Sequence, residues 1–208
     1  MKRKIRIALG LLVAFALWTL AVKTVDVQAI GPGGSPVGFA TVNGWFHRLT
    51  GVDMTLYTIT DWLGLVPVAV GFGFAVLGLV QWIKRKSVFK VDRSILVLGG
   101  FYIVTLAAYL LFEEWVINYR PVLIQCFLEA SYPSSTTLLV LCVMPTAQLQ
   151  LRSRIPNPIL RRITCAAITV FMAFMVVGRL LSGVHWLTDI VGGILLASGL
   201  VMLYDAMK

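Results

Sequence analysis

Six apolar runs, each long enough to cross a bilayer as a helix, are separated by short basic clusters. A hydrocarbon core of roughly 30 Å takes about 20 helical residues, and runs of that size cover approximately 6–23, 61–83, 94–115, 134–150, 163–181 and 185–205. With 59% hydrophobic and only 13% charged residues and a mean hydropathy of +0.88, the chain departs from a soluble domain, about a quarter of which is charged. The expected fold is therefore an all-α polytopic membrane protein, with residues 1–208 forming one six-helix domain.

Net charge +9 would suit a nucleic-acid binder if it formed a continuous surface, but the basic residues interrupt the apolar runs instead, so no nucleic-acid partner is expected. Four groups hold 14 of the 18 Lys and Arg: Lys2 to Arg6, Lys84 to Arg93, Arg152 to Arg162, and Lys208. Basic residues collect on the cytoplasmic side of inserted helices, so these groups place both termini inside, which requires an even helix count. Most acids then fall outside: Asp26, Asp53, Asp61, Glu113, Glu114, Glu129 and Asp189. Trp18, Trp45, Trp62, Trp115 and Trp186 fall at the outer boundary and Trp82 at the inner one, where amphipathic rings settle. Lys2 to Arg6 ahead of an apolar run, with Val27-Gln28-Ala29 beyond it, also has the outline of a secretory signal, although the run is long for one. The mixed segment Phe39 to Leu56 is expected to lie along the outer interface. Cys126, Cys142 and Cys165 have no paired spacing and read as packing residues.

Charged and polar residues at the ends of membrane helices are costly unless they face a cavity, and three stretches concentrate them at one depth. In Gly178 to Asp189, an unbroken helix would point Arg179 and His185 roughly 240° apart at about 100° per residue. A break at Ser182-Gly183 lets the two converge. His185 and Asp189, four apart on the restarted helix, would share a face, so the carboxylate can hold one imidazole nitrogen and leave the other free. Ser131 to Thr137 opens the fourth helix, where unpaired N–H groups and the hydroxyls of Ser134, Ser135 and Thr136 attract anions. Pro121 biases Arg120 out of helical geometry, and guanidinium forks match phosphate oxygens. The set suits phosphoryl chemistry.

These stretches resemble the type 2 phosphatidic acid phosphatase family of membrane-embedded lipid phosphatases. Its three ordered motifs are Lys-x6-Arg-Pro, Pro-Ser-Gly-His and Ser-Arg-x5-His-x3-Asp. The chain carries Glu113-x6-Arg120-Pro121, Pro133-Ser134-Ser135-Thr136 and Gly178-Arg179-x5-His185-x3-Asp189, in the same order and spacing. The resemblance implies that His185 attacks phosphorus to form phosphohistidine, that Asp189 orients it, and that Arg120, Arg179 and Ser134 hold the phosphate. It implies no metal or other cofactor, and with two histidines in the chain a multi-histidine metal site is not expected either.

Two departures bear on the chemistry. Glu113 stands where the family has a phosphate-binding Lys, and Thr136 where it has a His that protonates the leaving group. A general acid contributes about 10²- to 10⁴-fold. A lipid alkoxide, with a conjugate acid about as weak as water, needs that help. A lipid phosphate, with a second pKa of about 6, needs it far less. The expected substrate is thus a polyprenyl diphosphate such as undecaprenyl diphosphate, or a related lipid phosphate, hydrolysed on the extracellular or periplasmic side of the plasma membrane. Glu113, Glu114 and Glu129 are candidates for a substitute acid, and Glu113 could instead pair with Arg120 or Arg179. The alternative is a catalytically impaired member that binds or transports lipid phosphates.

Overall fold

The computed structural model describes all residues, Met1–Lys208. Eight α-helices follow in order: α1 (Lys2–Thr24), α2 (Ala40–Thr50), α3 (Met54–Leu63), α4 (Leu65–Arg85), α5 (Arg93–Glu114), α6 (Ser135–Arg154), α7 (Pro158–Leu181) and α8 (Leu187–Met207). The only β pairing is three isolated bridges.

Five helical stretches are long and apolar enough to span a membrane: α1, the combined Met54–Arg85, α5, α7 and α8. The fourth expected span exists as α6 but is not apolar enough to count with them. Its position accounts for this: α6 packs against α4, α5, α7 and α8, and it buries Thr137, Thr146 and Gln150 among protein neighbours. Gln148 donates to the Cys165 carbonyl at 2.6 Å and to Thr169 at 2.8 Å. Polar side chains satisfied within a bundle lower a helix's apolarity without exposing it to lipid.

The segment expected along the interface divides in two. Gly51, at φ +65°, ends α2, and Asp53 caps α3 by accepting the Leu56 amide at 2.9 Å. The second membrane helix thus begins at Met54, about two turns before the apolar run suggests, and runs through Gly64 into α4. α2 itself packs on α8 through buried Asn43, which donates to Thr188 Oγ1 at 3.0 Å and accepts its amide at 3.2 Å.

α1 and α8 form the most extensive helix pair. Close approach is possible because Gly199 has no side chain: a Cβ there would lie 2.8 Å from Leu12 Cδ2. The pair is tied at one end by Lys4 and Asp205 (2.5 Å) and at the other by the Trp18 indole donating to the Thr188 carbonyl (3.1 Å). Phe15, Phe112, Tyr132, Leu138, Cys142 and Leu196 belong to the main apolar core. The cysteines differ from expectation: Cys142 is buried, but Cys126 is exposed in the α5–α6 loop.

The basic clusters gather at one end of the bundle. There Gln150 joins Ser94, Arg154 and the Tyr204 hydroxyl, and Asp92 pairs with Arg85 at 2.9 Å. The α5–α6 and α7–α8 connections lie at the opposite end.

Candidate active site

Local chemistry explains how the α7–α8 turn presents its side chains. α7 stops at Leu181, and Gly183 takes φ +67°, a left-handed conformation that glycine adopts without a steric penalty. A Cβ at Gly183 would sit 1.9 Å from the Gly51 carbonyl oxygen, and the Asp53 amide donates to the Ser182 carbonyl at 3.0 Å. The turn is thus clamped against the α2–α3 loop. α8 begins at Leu187, so His185 lies in the connection rather than on the helix face. Asp189 reaches back from the first turn of α8 to accept the Trp186 amide at 2.8 Å.

The α5–α6 connection folds back on itself. Arg120 donates its amide to Glu129 (3.0 Å) and Ser131 donates its amide to Asn118 (2.9 Å), so Asn118, Arg120, Glu129 and Ser131 are held on one short ribbon. Tyr132 fixes the end of it. Its hydroxyl meets Thr19 Oγ1 at 2.7 Å, its ring stacks on Phe15 at 6.2 Å, and a side chain at Gly192 would collide with it. The following Tyr132–Pro133 peptide is cis.

These two connections bring His185, Arg120 and Arg179 together. His185 Nε2 lies 3.4 Å from Arg120 Nη1 and 3.4 Å from Arg179 Nη2. Guanidinium groups cannot accept a hydrogen bond, so the nitrogen facing them carries the lone pair. All three side chains are buried, Arg179 with only 1% of its surface exposed. Burial first, and then the two guanidinium charges, hold the His185 pKa well below its ordinary value. The imidazole is accordingly neutral near pH 7, as a nucleophile must be.

Each guanidinium has a carboxylate on its outer side, and neither is Glu113. Arg120 Nε is 3.0 Å from Glu129, an ion pair at a distance but not aligned as a hydrogen bond. Arg179 Nη1 is 3.6 Å from Asp61 and 3.5 Å from Thr60 Oγ1, and its guanidinium lies over the Tyr57 ring at 4.7 Å. α3 therefore supplies three side chains around Arg179 that the sequence reading did not single out. The Nε–H of each arginine has no hydrogen-bond partner. Two buried like charges with unused donors, meeting at one lone pair, form a pocket that an anion would complete.

The hydroxyl stretch divides. Ser134 is fully buried and caps α6: its Oγ accepts the Thr137 amide at 3.5 Å, and its own amide donates to the Asp189 carbonyl. Ser135 and Thr136 instead line a cavity of about 470 Å³ with Asp61, Gly64, Tyr102 and Tyr109. Val68, Phe72 and Leu106 also line it, each an exposed apolar side chain, so the cavity opens sideways on the apolar surface between α4 and α5. Glu113 is exposed at the end of α5 and lines an adjoining narrow crevice with Ser131 and Ser135. Glu114 is exposed as well. No three His, Cys, Asp or Glu side chains cluster as metal ligands would.

The largest difference from the sequence reading concerns Asp189. Its Oδ2 is 3.8 Å from His185 Nδ1, too far for a hydrogen bond. Ser131 fills the gap, with its Oγ 3.0 Å from Nδ1 and 2.5 Å from Oδ2. The Asn118 side-chain amide approaches Oδ1 at 3.4 Å. Ser131 lies at the edge of the hydroxyl stretch, and nothing in its spacing marks it as a bridge.

A profile of the PAP2 superfamily matches residues 68–205. No curated protein sequence matches the chain significantly. Among solved structures, the crystal structure of a transmembrane PAP2-type phosphatidylglycerolphosphate phosphatase from Bacillus subtilis superimposes with a TM-score of 0.57 at 19% identity, over 96% of this chain and 94% of that one. The fold is shared despite low identity, and the matched segment contains Arg120, Arg179, His185 and Asp189. The chain belongs to the PAP2 superfamily.

Proposed function

We propose that this protein is a lipid phosphatase in which His185 attacks phosphorus and transiently carries the phosphoryl group. The observation that supports this most is the neutral imidazole whose lone pair faces two buried guanidiniums at 3.4 Å each. In the first step the Nε2 electron pair forms a bond to phosphorus. The bond to the leaving oxygen breaks on the far side, and that oxygen keeps its electrons. Arg120 and Arg179 hold the non-bridging oxygens, where charge accumulates in the transition state. Water then attacks phosphorus, returning the electron pair to Nε2 and releasing inorganic phosphate.

The preferred substrate in this reading is a polyprenyl diphosphate. No His stands at position 136 to protonate an alkoxide, and a phosphate leaving group makes little demand for one. The cavities supply an independent argument. The one beside Ser135 and Thr136 shares Tyr102 with a second of about 440 Å³, lined by Phe74, Gly78, Trp82 and Ile103 among others. Together they follow the seam between α4 and α5 from Gly64 to Trp82, about 27 Å at 1.5 Å per residue. A hydrocarbon core is roughly 30 Å thick, so a lipid tail confined to one leaflet would occupy about half of that length. A chain longer than one leaflet fits the whole seam.

The same reading takes the chain as one six-span domain, with α6 as the sixth and most protein-buried span. Both termini are cytoplasmic, and the site faces the extracellular or periplasmic side of the plasma membrane, because the basic clusters lie at the other end. Thr136 also favours a second reading, in which the arginine site binds or transports lipid phosphates without turnover. Phosphate release from undecaprenyl diphosphate and phosphatidic acid in detergent separates these. Faster release from the diphosphate is expected. Faster release from phosphatidic acid would refute the substrate assignment, and binding without release from either lipid would favour the silent member.

A further inference from the structure

We propose that Ser131 is a positioning residue that links Asp189 to His185 and fixes the imidazole tautomer required for attack. This rests on the phosphatase reading of the same site. The hydrogen-bond donors can be assigned from two sides. Asp189 Oδ2 receives the Trp186 amide at 2.8 Å, and the Asn118 side chain approaches Oδ1 at 3.4 Å. Both oxygens thus serve as hydrogen-bond acceptors, as those of a carboxylate do. The Ser131 hydroxyl therefore donates to Oδ2, at 2.5 Å, leaving its oxygen lone pairs for the group at 3.0 Å, His185 Nδ1. That nitrogen must carry the ring proton. On the opposite edge, two guanidiniums that cannot accept require Nε2 to be bare. Both edges of the ring specify one tautomer, with the reactive lone pair aimed into the arginine pocket.

Ser131 holds this place because its surroundings allow little else. It is 2% exposed, its amide is bound to Asn118, and its neighbour Tyr132 is wedged against Phe15 and Gly192. The hydroxyl also acts during the reaction. When Nε2 bonds to phosphorus the ring becomes cationic and keeps its Nδ1 proton. No proton need cross to Asp189; the aligned Nδ1–H, Ser131 O–H and carboxylate carry the charge stabilisation across a separation of 3.8 Å that the two residues cannot bridge alone.

Two measurements test this. The first is nitrogen NMR of the histidine side chains in detergent, which distinguishes the tautomers whether or not the protein turns over. The chain has two histidines, so the His185 signal is the one missing in His185→Ala. The expected result is an Nδ1-protonated ring in the wild type and a lost or exchanging tautomer in Ser131→Ala. Should that variant fail to fold, Ser131→Cys, a weak donor of similar size, takes its place. An Nε2-protonated wild type, or a tautomer indifferent to both substitutions, overturns the proposal.

The second is the rate of phosphoenzyme formation in a single turnover. Ser131→Ala should slow it by about 10²-fold, the scale of removing an outer hydrogen-bond partner of a functional histidine, with little change in KM. Ser131→Thr, which keeps the hydroxyl, should restore most of the rate. Because both residues act through one chain of bonds, Ser131→Ala with Asp189→Asn should be no slower than the worse single variant. Multiplying losses would overturn the linkage. Absence of any wild-type phosphoenzyme would instead defeat the phosphatase reading, and the tautomer measurement would still judge Ser131.

Discussion

Replacing Thr136 by His should convert the protein toward monoester hydrolysis. Thr136 lies in the first turn of α6, is partly exposed, and lines the lateral cavity of about 470 Å³, so an imidazole there projects into open volume rather than into packed core. A positioned acid is worth about 10²- to 10⁴-fold, or about 2.7–5.4 kcal/mol at 1.36 kcal/mol per decade. The unpaired amides at a helix N-terminus disfavour imidazolium, which puts the gain at the lower limit, about 10²-fold. The leaving group decides who benefits. Phosphatidic acid expels an alkoxide and should gain that factor; undecaprenyl diphosphate expels a phosphate and should gain less than about tenfold. Phosphate release from both lipids by both proteins, with His185→Ala as background, gives the ratio directly. Equal gains on the two lipids, or no gain on the monoester, would refute the argument that position 136 sets the leaving-group preference.

Four further outcomes follow from the geometry. Because burial and two guanidiniums depress the His185 pKa, kcat/KM should stay level as pH falls through the imidazole's ordinary 6.5 and decline only well below it; a decline centred at 6.5 would contradict this. The same depression has a stability consequence. Below 6.5 the unfolded chain takes up a proton that the folded site refuses, so stability is complete above that pH and falls with acidification by up to about 1.4 kcal/mol per pH unit. Thermal unfolding of the wild type beside His185→Gln should show that slope only in the wild type. Glu113→Gln should change turnover by less than about tenfold, since an exposed carboxyl paired with neither arginine lacks the apolar setting of a catalytic acid; a loss of 10²-fold or more would restore Glu113 as proton donor. Gly183→Ala should cost at least about 1–2 kcal/mol from the left-handed backbone alone, and more from the collision with the Gly51 carbonyl, lowering thermal stability and activity together. A variant with unchanged melting temperature would show that the turn is not clamped.

Features written into local chemistry were legible in the sequence. The helix break at Ser182-Gly183 announces itself through a glycine between apolar runs, and Pro121 marks Arg120 as non-helical, although α5 already ends at Glu114. The spacing of Arg179, His185 and Asp189 was legible too, though it suggested a direct His–Asp contact on one helix face. Features that depend on which surfaces meet were not. α3 belongs to a membrane helix because Asp53 caps it, but its Thr and Asp residues dilute the apolar signal, so Thr60 and Asp61 went unassigned beside Arg179. Glu129 rather than Glu113 reaches Arg120 because the α5–α6 connection folds into a ribbon, a pairing that linear spacing does not encode. Ser131 is the clearest case: its role exists only where that ribbon meets the α7–α8 turn. By apolarity along the sequence α6 ranks with the other spans, whereas burial inside the bundle lets it carry more polar residues than the helices around it.

Whether His185 receives the phosphoryl group is decided by rapid-quench labelling with a lipid diphosphate radiolabelled at its terminal phosphate. An acid-labile, base-stable phosphoryl adduct should appear on His185 faster than phosphate is released and be absent from His185→Ala. Steady turnover by His185→Ala, or turnover by the wild type with no labelled protein at any time, would contradict it.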